Sequence, residues 1–165
     1  IEVEVFSVDI RPIVEETVRE LVPLGAERGV TLRYDAPPEM VLTLTDIKRF
    51  REVVTNLVSN AIKYNRPNGS VTISHDMKAE AVTTHVADTG FGIPEAAKEK
   101  IFEKFFRVKS KETSEVQGTG LGLFIVKQLV EKMNGKIWFV SKDGEGTTFS
   151  VSLPAAPPEV ARQSA

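Results

Sequence analysis

The sequence predicts an α+β fold, a two-layer sandwich in which one mixed, mostly antiparallel sheet is covered on one face by helices. Strand-like segments come in neighbouring pairs joined by short turns, "VTISHDM" with "AVTTHVAD" and "KIWFVS" with "TTFSVSLP". Three other segments repeat apolar residues at helical spacing. Strands and helices are mixed without strict βαβ alternation, so one parallel, doubly wound sheet is not expected.

The elements follow in order. Asp9 is a candidate N-cap and Pro12 falls near the first turn of a helix over residues 9 to 28, with Ile10, Ile13, Val14, Val18, Leu21 and Val22 on one face. Pro23 is expected to end or kink it. Val30 to Asp35 reads as a strand, Pro37 and Pro38 as a turn, and Val41 to Leu44 as a short strand. Thr45 is a candidate cap for the next helix, whose core face is Ile47, Phe50, Val53, Val54, Leu57, Ala61 and Ile62, and "RPNGS" at 66 to 70 stops it. The two central strands turn near Lys78 to Glu80. A short helix is expected over Glu95 to Phe102, inside a polar segment that lies between two glycine clusters. The second cluster opens a helix whose apolar positions Val126, Leu129, Val130 and Met133 lead to an Asn134-Gly135 C-cap. A final hairpin turns at "KDGEG", and the last residues lack apolar periodicity and are expected to be disordered.

A chain of 165 residues suits one domain, residues 1–154, with a tail over 155–165. No apolar run approaches the roughly 20 residues of a membrane-spanning helix, and "IEVEVFSVDI" has no basic region ahead of an apolar block, so no secretory signal is expected. The absence of cysteine excludes disulfides and thiolate metal sites, and the two histidines, His75 and His85, are too isolated for a zinc cluster. A reducing cytoplasm fits this composition. A net charge of -2 gives no global attraction to nucleic acid or anionic lipid, so neither partner is expected.

The chemistry gathers on one helix and the two glycine clusters. Asn56 and Asn60 share a stripe of the second helix beside its apolar face, with Glu52 one turn before and Tyr64 one turn after. Buried amides cost free energy unless paired, so either the protein or a ligand must satisfy them. In "DTGFGIP" (88 to 94), Gly90 and Gly92 permit close backbone approaches, and the Asp88 carboxylate can accept from an amine such as adenine's. An ordinary turn has the same pattern. "GTGLGL" (118 to 123) leads directly into a helix, whose free N–H groups and dipole favour an anion. No Lys-Ser or Lys-Thr follows, which excludes a P-loop.

Taken together, Asn-x-x-x-Asn-Ala-x-Lys-Tyr, Asp-x-Gly-x-Gly-Ile, "FEKFFR" and Gly-Thr-Gly-Leu-Gly-Leu resemble, in order, the boxes of the ATP-binding catalytic domain of sensor histidine kinases. These belong to the GHKL superfamily with DNA gyrase and heat-shock chaperone ATPases, and the resemblance runs from about Phe6 to Pro154. It implies that Asn60 ligates a Mg²⁺ bridging the phosphates of ATP, with Asn56 assisting. Lys63 would approach phosphate and Tyr64 would pack by the adenine. Asp88 would accept from the adenine amine, Gly90, Gly92 and Ile93 would shape the base pocket, and Thr147 would support Asp88, through water. Gly118, Thr119, Gly120, Leu121, Gly122 and Leu123 would wrap the phosphates. Residues 94–117 would form a mobile lid in which Arg107 reaches the terminal phosphate, while most of Lys109 to Gln117 forms a solvated surface. Phe102, Phe105 and Phe106 would dock the lid or face a partner bundle rather than touch nucleotide.

Hydrolytic relatives place a glutamate four residues before the metal-binding asparagine. Here that position is Asn56, which is no general base, so hydrolysis should be slow. Glu52, about 6 Å further along the helix axis, is a secondary candidate for polarising a group at the site. The resemblance implies transfer to a histidine on a dimerisation bundle, and His75 and His85 both lie in expected strands, so the acceptor belongs to a segment or chain beyond this one. The same bundle would dimerise the parent, leaving this domain monomeric, and a response regulator would act downstream. The parent would be cytoplasmic, or this would be the cytoplasmic part of a membrane-anchored sensor. The alternatives are a nucleotide-binding regulatory module without catalysis, an ATP hydrolase of the same superfamily, and a protein-serine kinase of the anti-sigma type.

Overall fold

The computed structural model describes residues 1–110, 113, 116, 118–157 and, through their backbone, 161–163. Its elements run β1 (Phe6–Asp9), α1 (Arg11–Glu27), β2 (Thr31–Tyr34), β3 (Leu42–Thr45), α2 (Ile47–Lys63), β4 (Ser70–Met77), β5 (Ala81–Asp88), a 3₁₀ helix (Glu95–Lys100), α3 (Gly122–Lys132), β6 (Lys136–Lys142), β7 (Gly146–Pro154) and β8 (Ala161–Gln163). The fold is the α+β sandwich expected, with a refinement. The strands form two sheets, a five-stranded one in the order β2-β4-β5-β7-β6 and a three-stranded one in the order β3-β1-β8. The five-stranded sheet is antiparallel except where β2 runs parallel to β4.

Alternation decides which sheet face is covered. Val71 and Ile73 on β4, Val82 and Val86 on β5, and Phe149, Val151 and Leu153 on β7 point to the helices and are buried. The opposite face carries Trp138 and Val140, both exposed, beside polar residues such as His85. α2 is the central helix of the covering layer. Phe50, Val53, Val54, Leu57, Val58, Ala61 and Ile62 are all buried on it, each large side chain contributing about 2 kcal/mol by leaving water.

Several local expectations are corrected. Ile10, not Asp9, occupies the N-cap of α1; Asp9 ends β1 and its carboxylate accepts from the backbone N–H groups of Arg11 (3.2 Å) and Val41 (3.0 Å). Pro23 does not end α1. It sits exposed one turn before the C-terminus, and beyond it the buried Gly25 locks the last turn by accepting from Val30 N–H at 2.8 Å. The cap of α2 is Asp46, whose extended backbone lets its carboxylate accept from Arg49 N–H at 3.0 Å. Thr45 is instead buried with its hydroxyl 3.2 Å from Met133 Sδ. The segment after Pro94 is a 3₁₀ helix ending at Lys100.

α3 ends as expected near Asn134, which takes a left-handed φ of 61° while Asn134 and Gly135 donate back to Glu131 and Val130. The expected disorder of the tail does not hold throughout. Ala156 is buried and donates to Leu42 O at 3.1 Å, and β8 pairs in parallel with β1; residues 158–160 and 164–165 lie outside the described residues.

Candidate functional site

α2 brings Asn56 and Asn60 to the border of the core. Nδ2 of Asn56 donates to the Glu52 carbonyl at 2.9 Å, which leaves Oδ1 for other partners. The Asn60 amide makes no hydrogen bond among the described residues. The N-terminus of α3 arrives opposite them. Gly122 opens that helix, and a Cβ there would stand 3.1 Å from Asn56 Oδ1, so a larger residue would require the Asn56 amide to give by a few tenths of an ångström. No side chain caps α3, and its first intrahelical bond, Ile125 N–H to Leu121 O at 2.9 Å, leaves the N–H groups of the first turn without helical acceptors. The helix dipole adds positive potential at the same point.

Asp88 ends β5 at the other side of the site. Its Oδ1 accepts from Gly90 N–H at 2.8 Å and Thr147 N–H at 3.2 Å, and Oδ2 has no partner among the described residues. Burial pushes its carboxyl up to about 6, against the two backbone bonds, which act in the opposite direction. The loop that follows turns sharply against the last hairpin. Gly92 has φ +72°, and a Cβ there would fall 2.1 Å from Lys142 O, so no other residue fits.

One cavity of about 340 Å³ joins these pieces, within the size range of small-molecule sites. Of the residues singled out from sequence, Asn56, Asn60, Lys63, Tyr64, Asp88, Gly92, Ile93, Arg107, Gly118, Thr119, Gly120, Gly122, Leu123 and Thr147 line it. Gly90 and Leu121 are not among the residues that line it. Glu52 is absent from it, because its carboxylate turns to Arg49 at 3.1 Å, and the expectation that it polarises a group in the site is withdrawn.

Sequence reasoning missed Ser59, Ala61, Ile101, Val108, Thr113 and Phe149, and it placed Phe106 away from the ligand although Phe106 lines the cavity. Apolar periodicity on α2 and alternation on β7 mark Ala61 and Phe149 as buried, but neither signal separates a cavity wall from ordinary core. Phe102 packs instead against Phe139 and Phe149, with ring centroids 5.9 and 6.2 Å away, and Phe105 is 64% exposed. The segment expected as solvated surface also holds two buried residues, Thr113, whose hydroxyl donates to Val108 O at 2.7 Å, and Val116. Lys111, Glu112, Ser114, Glu115 and Gln117 lie outside the described residues. Arg107 donates from Nη2 to Val116 O, and its buried Nε has no partner among the described residues.

The donor set bears on a metal. No group of three His, Cys, Asp or Glu side chains among the described residues could hold an ion. A Mg²⁺ would take a single neutral amide oxygen, from Asn60, and complete its shell with water and ligand phosphates, which is how this ion is usually held.

Comparison with known proteins bears on the family and the fold. The family described as "Histidine kinase-, DNA gyrase B-, and HSP90-like ATPase" matches residues 45–157. The sensor protein kinase WalK of Staphylococcus haemolyticus (strain JCSC1435) is 37% identical over 133 residues, covering 78% of this chain and 22% of WalK, so the chain spans about a fifth of that relative. Full-length ShkA, solved in complex with AMPPNP, superposes with a TM-score of 0.81 at 28% identity, covering 95% of this chain and 32% of ShkA. The nucleotide-free catalytic domain of the histidine kinase ThkA gives 0.80 at 28% identity, covering 93% of this chain and 99% of that one. ThkA solved with its response regulator TrrA gives 0.75 at 25% identity, covering 93% and 42%. The sheet order, the paired asparagines facing a glycine-opened helix and the sequence match lead to one conclusion: the chain belongs to the histidine kinase-, DNA gyrase B- and HSP90-like ATPase family.

Proposed function

We propose that this domain binds Mg-ATP and donates the terminal phosphoryl group to a histidine on a helix bundle outside this chain, as the catalytic part of a two-component sensor kinase. One observation carries the reading. The asparagine stripe, the uncapped start of α3 and the half-paired Asp88 carboxylate open into a single cavity. Asp88 Oδ2 would accept from the adenine amine, with Tyr64, Ile93 and Thr147 around the base. The first-turn N–H groups of α3 and the loop Gly118 to Gly120 would hold the phosphates, with Lys63 nearby. Bound Mg²⁺ would supply charge neutralisation between phosphates, from Asn60. Arg107 would exchange the Val116 carbonyl for the terminal phosphate, and residues 94–117 would act as a lid over the reacting atoms.

In the transfer, the bond from the terminal phosphorus to the bridging oxygen breaks, a bond to the imidazole nitrogen forms, and ADP leaves with the electron pair. The protein acts by positioning and by neutralising charge, as a loose transition state requires. Asp88 is the sole acidic residue among the described residues of the wall, and it is occupied at the base end. No other carboxylate among the described residues of the wall stands beside the asparagines to activate water, which favours transfer over hydrolysis. The similarity to ShkA, solved with AMPPNP, and to ThkA, solved with TrrA, supports a nucleotide ligand and a response-regulator pathway. No helix of the described residues is long and apolar enough to cross a membrane, and a cytoplasmic place for the domain belongs to the proposal.

The test is calorimetric titration with ATP, with and without Mg²⁺, followed by transfer to a supplied acceptor bundle. Asn60→Ala should remove the Mg²⁺-dependent part of the affinity. ATP affinity unaltered in both Asn60→Ala and Asp88→Ala would move the pocket elsewhere.

A further inference from the structure

Ser141 lies on β6 and is 9% exposed. It does not line the cavity, yet three of the pieces around the base converge on it. Its Oγ accepts from Ile93 N–H at 2.8 Å, stands 2.7 Å from Thr147 Oγ1, and donates to Gly146 O at 3.1 Å. A hydroxyl offers one proton and two lone pairs. With the proton given to Gly146 O, one lone pair takes Ile93 N–H and the other takes the Thr147 hydroxyl proton, so the group is fully used. The Thr147 oxygen, on the cavity wall, is then left with its lone pairs free to accept. Its backbone N–H meanwhile fixes Asp88 Oδ1. The Ser141 carbonyl is held in turn by Lys98 Nζ at 2.8 Å, from the 3₁₀ helix at the start of residues 94–117.

We infer that Ser141 is the positioning residue for base recognition, setting Asp88, Ile93 and Thr147 in the arrangement that distinguishes an amino-purine from an oxo-purine. This rests on the reading in which Asp88 accepts from the adenine amine. Without the hydroxyl, Ile93 N–H and Gly146 O lose a buried partner and the Thr147 side chain is free to turn, so the loss falls on the base end and spares the phosphates. The residue is invisible to motif reasoning because it belongs to none of the glycine or asparagine boxes.

The experiment measures Kd for ATP, for inosine triphosphate, which carries a carbonyl in place of the amine, and for tripolyphosphate, which has no base. Ser141→Ala should weaken ATP about tenfold, near the upper end for one buried hydrogen bond, leave tripolyphosphate within about twofold, and shrink the preference for ATP over inosine triphosphate. Ser141→Thr should keep the preference and Ser141→Val should lose it. That pair has nearly equal volume and differs by the hydroxyl, so it carries the comparison should the alanine variant not fold. An equal loss for all three ligands, or an unaltered preference in the alanine and valine variants, would overturn the role. Asp88→Asn separates the two ideas. A preference that survives Asp88→Asn refutes the Asp88 reading itself, whereas one lost there but kept in Ser141→Val refutes the Ser141 role alone.

Discussion

Asn56 and Gly122 belong to different helices, and a methyl group added at Gly122 would come within 3.1 Å of Asn56 Oδ1. The start of α3 thus comes close enough to α2 that a methyl group would press on the Asn56 amide. Alanine gains about 0.5 to 1 kcal/mol over glycine in a helix interior and less at the first helical position, so Gly122→Ala should leave the melting temperature nearly unchanged. It should weaken Mg-ATP by about threefold, because the Asn56 amide must give by a few tenths of an ångström while Asn60 stays in ordinary contact. Thermal unfolding and calorimetric titration of the same sample check both halves.

Asp88 has a folded pKa of about 6, above the ordinary 3.8. The burial penalty on its charge is therefore fully present above pH 6 and is relieved as pH falls from 6 towards 3.8. Asp88→Asn removes the charge and keeps an oxygen for Gly90 and Thr147, so at pH 7.5 it should raise stability, by about 3 kcal/mol at most. The same substitution should abolish ATP preference. In the wild type, ATP affinity should fall below pH 6 relative to tripolyphosphate, which corrects for phosphate protonation. Denaturant melts and paired titrations over pH 5 to 8 test this.

His75 works in the opposite sense. Burial holds its pKa down to about 4, with neighbouring His85 adding to the shift. The ring is neutral between Tyr34 OH (2.6 Å) and Thr84 Oγ1 (2.9 Å). The unfolded chain takes up a proton near pH 6.5 and the fold does not, so stability is lost as pH falls from 6.5 towards 4, by about 3 kcal/mol at most. The Asp88 and His75 contributions oppose each other over much the same range. The wild type should show a shallow acid slope, and Asp88→Asn should steepen it. Urea midpoints at half-unit pH intervals would reveal the difference; identical slopes would count against both assignments.

Arg107 is expected to act on the terminal phosphate rather than in ground-state binding. Arg107→Ala should lower transfer to an acceptor bundle by about a hundredfold or more, with ATP affinity altered only a few-fold. Single-turnover transfer at saturating ATP separates this from a simple binding defect.

Much of this could be read in the residues beforehand, for identifiable reasons. The α2 core face emerged because Phe50, Val53, Val54, Leu57, Ala61 and Ile62 follow a 3.6-residue period that tertiary packing also demands. The glycine clusters were legible because only glycine fits at Gly92, where φ is +72° and a Cβ would meet Lys142 O. What escaped depended on contacts distant in sequence. Thr45 and Asp46 are both good caps in isolation, and the choice between them is made by Met133, which lies against Thr45 in the fold. Pro23 breaks a helix by local rules, but Gly25 is held by Val30 from outside the helix. Glu52 shares the asparagine stripe in a helical projection, yet Arg49 draws its carboxylate away. Ser141 and Phe106 acquire meaning from neighbours across the site, which no spacing rule contains.

The pairing of β8 with β1 carries a consequence for handling the protein. Backbone donors and acceptors along a bare strand are a template for another chain, and Ala161–Gln163 shield those of Ser7 to Asp9 in the native fold. A version cut after Pro157 would expose that row. Its copies should recruit each other into sheet-linked oligomers as concentration rises, visible by light scattering, while the uncut protein under the same conditions stays dispersed.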